Sequence, residues 1–213
     1  MMVLVASRSV GRMLPRAEQT KDADVLVDVC ADPKTLRKVA HQLDSLGFKI
    51  PRETWDSPDM ARCTFVSGNS QIDVLCPDDA RPEDLDLGDS IRSLAIPGGR
   101  RALEMAETVH LRYAEEYPDV EVRVPLLEAA IVVKAHAVID PRTSEQPRHG
   151  EDLTGMLSII DDPVESRSKI SDDDVALMSA AAQVLADDTH SAWGELSTDD
   201  RLRARAALDF MSG

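Results

Sequence analysis

Three aspartates stand on two short apolar runs, and their spacing is that of a cation site. Asp22 and Asp24 lie in Thr20-Lys21-Asp22-Ala23-Asp24-Val25-Leu26-Val27, and Asp73 lies in Gln71-Ile72-Asp73-Val74-Leu75. Each acid interrupts a stretch that otherwise reads as a buried strand, where an unpaired charge is very costly. Residues i and i+2 of a strand share a face, so Asp22 and Asp24 present their carboxylates together. If the run carrying Asp73 pairs beside the first, the three converge. Clustered carboxylates suit a hard divalent cation, Mg²⁺ or Mn²⁺, which keeps water and substrate phosphates as its other ligands. A second chemical signal lies upstream in Val3-Leu4-Val5-Ala6-Ser7-Arg8. A small residue and a serine at the start of a helix offer backbone N–H groups and a hydroxyl to phosphate. Ser7 could equally be a plain helix cap.

The elements that must carry these residues can be read from pattern. Residues 2–6 and 23–29 read as strands. Asp32-Pro33 opens a helix with Leu36, Val39, Ala40, Leu43 and Leu46 as its apolar stripe, and Gly47 closes it. Residues 48–50 suggest a short strand. Residues 62–66 and 71–75 flank Ser67-Gly68-Asn69-Ser70, a hairpin signal that puts Asp73 on the second arm. Residues 77–88 read as a loop, 91–96 as a strand, and 101–112 as helix or strand. Residues 120–124 read as a strand, with Pro125 at the first turn of a helix over 126–139. After a loop over 141–150, helices are expected at 152–160, 172–186 and 198–211, capped by Ser171 and by Ser197 or Thr198. The expected class is α+β: a mixed sheet with helices over residues 1–124 and a helical region over 125–213.

Composition narrows the function classes. The chain has 213 residues, 43% hydrophobic and 30% charged, which is globular rather than disordered. Aromatics make up only 3%, against a base-stacking platform for single strands. The net charge of −15 argues against a whole-surface nucleic-acid binder. The first 21 residues nevertheless carry Arg8, Arg12, Arg16 and Lys21 against Glu18 alone, a local basic patch. Acid clusters at 161–162, 172–174, 187–188 and 199–200 read as helix caps and solvated faces. Cys30, Cys63 and Cys76 lack metal-ligand spacing and read as reduced core residues of a cytoplasmic protein. His136 and His149 read as structural or surface residues, without a spaced partner set. Trp193 and Phe210 read as anchors of the tail helices. No apolar run approaches a membrane span, and no signal peptide is visible.

In order, these motifs are a strand, a small residue with serine, a helix, an Asp-x-Asp strand, and a hairpin with a third aspartate. The chain resembles the nucleotidyltransferase-fold superfamily at these residues, and in particular the AbiEii-type minimal nucleotidyltransferases, the toxins of type IV toxin–antitoxin systems. The likeness spans about residues 3–160. Thr20-Lys21-Asp22-Ala23-Asp24-Val25 matches the family's Thr-x-Asp-x-Asp core, and Ile72-Asp73-Val74-Leu75 its third-carboxylate strand. Residues 122–127 leading to Lys134 match its lysine helix, and His149-Gly150-Glu151-Asp152-Leu153 stands where it has Lys-Asp-x-x-Asp-Leu.

The resemblance implies transfer of a nucleotide from a nucleoside triphosphate to an acceptor hydroxyl, with Mg²⁺ (or Mn²⁺) as cofactor. Asp22, Asp24 and Asp73 would hold the metal. Ser7 would hold a phosphate, Lys134 would neutralise charge, Asp152 would orient Lys134, and Arg8 and Lys21 are further phosphate candidates. The acceptor is transfer RNA in some relatives and a protein in others, and an antitoxin protein is an implied partner. Two departures stand out. Ala6-Ser7 replaces the usual Gly-Gly or Gly-Ser, adding a methyl group where backbone approaches phosphate. The family's helix before the first strand is missing ahead of Val3, so either the chain is truncated or the form is reduced, and a homodimer would cover the sheet left open. Three alternatives remain at this stage: a catalytically silent nucleotidyltransferase-like binding or regulatory domain, an Asp-x-Asp sugar transferase, and acids that merely face solvent on edge strands.

Overall fold

The computed structural model describes residues 2–5, 22–51, 63–88, 91–111, 119–141 and 146–213, with backbone alone at 2–5, 22, 91, 111 and 146. The fold is α+β, and the described residues divide into two compact units that meet in sequence between Pro125 and Leu126.

The first unit is a mixed sheet. Its strands are β1 (Met2–Val5), β2 (Asp22–Val27), β3 (Cys63–Ser67), β4 (Ser70–Pro77), β7 (Leu94–Ile96), β8 (Ala106–Leu111) and β9 (Val120–Pro125), with the short pair β5 (Asp86–Gly88) and β6 (Ile91–Arg92) apart from it. The order across the sheet is β3-β4-β2-β1-β9-β8, and β7 pairs with the end of β4. β4 runs parallel to β2, whereas β1 is antiparallel to β2. A parallel pair needs a crossover, supplied here by helix α1 (Thr35–Ser45) together with β3.

Strand alternation gives the sheet two different faces. Val25 and Val27 of β2, Cys63 and Phe65 of β3, and Val74 and Cys76 of β4 pack with Leu36 and Leu43 of α1 in one apolar cluster. The alternate residues, Asp24, Thr64 and Asp73 among them, fall on the opposite face. Were the register to slip by one, the valines would trade places with the acids, which pins the strands.

The hairpin forms as expected. Gly68 takes φ +58°, so Ser67 pairs with Ser70 and, further along, Thr64 with Asp73. Several boundaries differ from the sequence reading. α1 starts at Thr35 rather than Pro33, because Asp32 folds back to accept from the Lys34 N–H (2.9 Å) and the Lys38 ammonium (2.7 Å). Residues 48–50 make a single bridge, Lys49 to Val66. The ambiguous 101–112 stretch is both things: the end of helix α2 (Gly99–Glu104), then β8. Pro125 closes β9 opposite Ala106 instead of opening a helix.

The second unit is a helical bundle of α3 (Leu127–Ile139), α4 (Gln146–Ser158), α5 (Pro163–Lys169), α6 (Asp172–Val184) and α7 (Thr198–Ser212). Trp193, Leu153, Leu157, Met178, Leu185 and Met211 are buried in its core. Polar caps start three of the helices. Asp162 accepts from the N–H groups of Val164 (2.9 Å) and Glu165 (3.1 Å) ahead of Pro163. Ser171 and Asp174 form a reciprocal capping box, and Ser197 accepts from Asp200 N–H at 3.2 Å. The sequence reading missed α5 and began α4 at residue 152; residues 146–150 are already helical. Phe210, expected as an anchor, is 46% exposed, whereas Trp193 is 2% exposed and donates its indole N–H to the Leu185 carbonyl at 3.0 Å. Among the described residues, no helix is long and apolar enough to cross a membrane.

At the start of α2, Gly98 takes φ +77°, and Gly99 lies so close to β4 that a Cβ there would meet the Pro77 Cα at 2.9 Å. Backbone cannot yield as a flexible side chain would. Gly99→Ala is therefore expected to destabilise the protein by about 1–3 kcal/mol, read from the midpoint of denaturant unfolding. An unchanged midpoint would mean that α2 moves away at no cost.

Candidate functional site

Register decides which predicted residues meet. β2 and β4 lie side by side with Asp24 opposite Asp73 and Asp22 opposite Gln71. Asp22 and Asp24, two residues apart on β2, and Asp73 on the neighbouring strand thus fall on one sheet face. Residues in register on adjacent strands are separated by about one strand spacing, roughly 4.8 Å. Asp24 and Asp73 are both partly buried, and they line an open pocket of about 130 Å³ with Thr64, Leu75 and Leu94. The Asp22 side chain lies outside the described residues, as do Ser7, Arg8, Lys21 and Ala6.

Asp73 is tied down within the sheet. Its Oδ1 accepts from the Thr64 hydroxyl at 2.5 Å, and its Oδ2 from the Gln71 amide at 3.0 Å. Neither partner was singled out from the sequence. The signal was there: a two-residue turn at Gly68-Asn69 sets Ser67 opposite Ser70, and counting back along both arms sets Thr64 opposite Asp73.

The far ends of the same two strands are braced. Arg100, at the start of α2, reaches Asp28 just beyond β2 (3.3 Å) and Asp79 just beyond β4 (2.9 Å). Asp78 accepts from the backbone N–H groups of Gly98 (3.1 Å) and Arg100 (2.9 Å). The Arg100 guanidinium holds the Asp79 carboxyl below its ordinary range. Cys30 is exposed rather than in the core, and its thiol donates to Asp79 at 3.4 Å. Partial burial, and then that contact, push its pKa up.

Lys134 and Asp152 form a direct pair within the second unit, Nζ to Oδ2 at 2.6 Å. Their side chains are 28% and 43% exposed, so the pair contributes at most about 1 kcal/mol to stability. His136 and His149 are partly buried on α3 and α4. Among the described residues, no group of three or more His, Cys, Asp or Glu side chains is arranged to hold a metal ion; Asp24 and Asp73 make a set of two. That set still fits Mg²⁺, which is commonly bound through one or two carboxylates plus phosphates and water. The donors on this face are oxygen atoms, the chemistry a hard cation prefers. Compared with models of known protein families and with curated proteins, the chain matches none.

Cys63, beside Thr64 on β3, and Cys76 at the end of β4 are buried, and burial pushes their thiols up to about 12 and about 11. Unfolding returns them to ordinary thiols near 9, so above that pH the unfolded chain holds fewer protons than the folded one. Their protonated, buried state therefore stabilises the fold below pH 9, and that contribution is lost as pH rises toward 11–12. The expected loss is about 1.4 kcal/mol per pH unit for each thiol. Denaturant unfolding of wild type and Cys63→Ala across this range checks it, and a variant with the same alkaline slope would refute it.

Proposed function

We propose that this protein is a metal-dependent nucleotidyltransferase, which moves a nucleotide from a nucleoside triphosphate to an acceptor hydroxyl on RNA, such as a transfer RNA end, or on a protein. The observation that carries the reading is the pairing of Asp24 with Asp73 on adjacent parallel strands, with Asp22 two residues along on the same strand. Two carboxylates in register repel each other, and a divalent cation turns that repulsion into attraction. The order of the motifs, with Ser7 ahead and Lys134 and Asp152 behind, supports the toxin-type branch of that superfamily. An antitoxin protein then follows as a partner.

Asp24 and Asp73, with Asp22, are the residues that would hold Mg²⁺. Bound there, the cation would supply Lewis acidity toward the phosphoryl oxygens. Asp24, on the same strand as Asp22, would engage the triphosphate through that cation. Asp73, on the neighbouring strand, takes the proton from the acceptor hydroxyl at a carboxylate oxygen as that hydroxyl attacks the α-phosphorus. The bond to the β-phosphate breaks, and pyrophosphate leaves. Leu75 and Leu94 form an apolar part of the pocket wall.

The test is transfer of label from each α-labelled nucleoside triphosphate, with Mg²⁺, to total RNA or to cell protein. Wild type is expected to transfer label, and Asp24→Asn and Asp73→Asn each to lose about 100-fold or more, several kcal/mol of charge stabilisation. A triphosphate-dependent rise in melting temperature without transfer would make the chain a silent binding domain. Neither transfer nor a thermal shift would remove the nucleotide reading altogether.

A further inference from the structure

Both oxygens of the Asp73 carboxylate are engaged by neutral donors from its own sheet. The Thr64 hydroxyl donates to Oδ1 (2.5 Å) and the Gln71 amide to Oδ2 (3.0 Å). The register explains why each can reach. Thr64 is the cross-strand partner of Asp73 on β3, and Gln71 is two residues back on β4, on the same face. Thr64 is 7% exposed. A valine would fill that space equally well, so what threonine adds is its hydroxyl.

An ionised carboxylate offers about four lone-pair sites, two on each oxygen. Thr64 and Gln71 take one on each and leave one on each. Across the sheet the row runs Thr64, Asp73, Asp24, so a donor stands on one side of Asp73 and a like charge on the other. Without these donors the Asp73 carboxylate could turn about its side-chain torsions. Hydrogen bonds at both oxygens remove that freedom before any cation arrives.

We infer that Thr64 and Gln71 are positioning residues for cation binding, which fix the Asp73 carboxylate beside Asp24 so that binding need not order it. The inference rests on the metal-dependent reading of the acid face. Hydrogen-bond partners behind a metal-binding carboxylate commonly matter about 10- to 100-fold in affinity. A purely structural threonine would change stability without changing affinity.

The experiment titrates Mn²⁺ into the full chain and follows free Mn²⁺ by electron paramagnetic resonance, with no substrate and no turnover. Wild type is expected to bind, and Asp73→Asn to lose binding. Thr64→Val and Gln71→Met are expected to weaken binding about 10- to 100-fold, and Thr64→Ser, which keeps the hydroxyl, to restore it. Circular dichroism establishes that each variant is folded. Should Thr64→Val fail to fold, Gln71→Met decides by the same comparison. Wild-type affinity in Gln71→Met and in any folded Thr64→Val, with Asp73→Asn still deficient, would overturn the positioning role and leave the metal reading standing. Absence of Mn²⁺ binding by wild type would overturn both.

Discussion

Two like charges held in register on adjacent strands set the terms for everything around them. Asp24 and Asp73 face each other across a parallel pair. A sheet that needed only to be stable would place a valine or threonine at one of these positions. This one keeps both acids and surrounds Asp73 with a hydroxyl and an amide.

The rest of the first unit holds that pairing in place. On the opposite face, β2, β3 and β4 bury Val25, Val27, Phe65, Val74 and Cys76 against Leu36 and Leu43. That burial is worth about 1.5–3 kcal/mol for each fully buried aliphatic or aromatic side chain. The strands cannot drift apart to relieve the acids without exposing it. At their far ends Arg100 joins Asp28 to Asp79, and the close approach of Gly99 to Pro77 seats α2 against the end of β4. The acid pair is thus fixed by apolar packing from one side and by an ion-pair brace from one end.

The acidic residues of the second unit serve a different purpose. Asp162, Asp174 and Asp200 sit at helix starts, where the backbone N–H groups lack partners and negative charge is favoured. Asp188 pairs with Arg201 and Arg205, and Arg205 stacks over the buried Trp193 at 4.3 Å. These acids cap helices or pair with arginines. The acids of the sheet face stand out because they lie within strands and have no helix end to satisfy.

Local pattern was enough to read the alternation of β2 and β4, the hairpin at Gly68, the caps at Ser171 and Ser197, and the shared strand face of Asp22 and Asp24. Each follows from a period or a dihedral preference contained within a few residues. The start of α4 and the helix at 163–169 were not read, and 101–112 stayed open between helix and strand, because short or polar helices depend on the packing they find. Thr64 lay within reach of turn counting yet gained its meaning only from Asp73 across the hairpin. Tertiary structure alone decided that β4 lies parallel to β2 with Asp24 opposite Asp73, and that Arg100 ties the ends of both strands. Side-chain period is a property of each strand by itself. Which strand becomes its neighbour, in which direction and at which register, depends on apolar surfaces far apart in the chain finding one another.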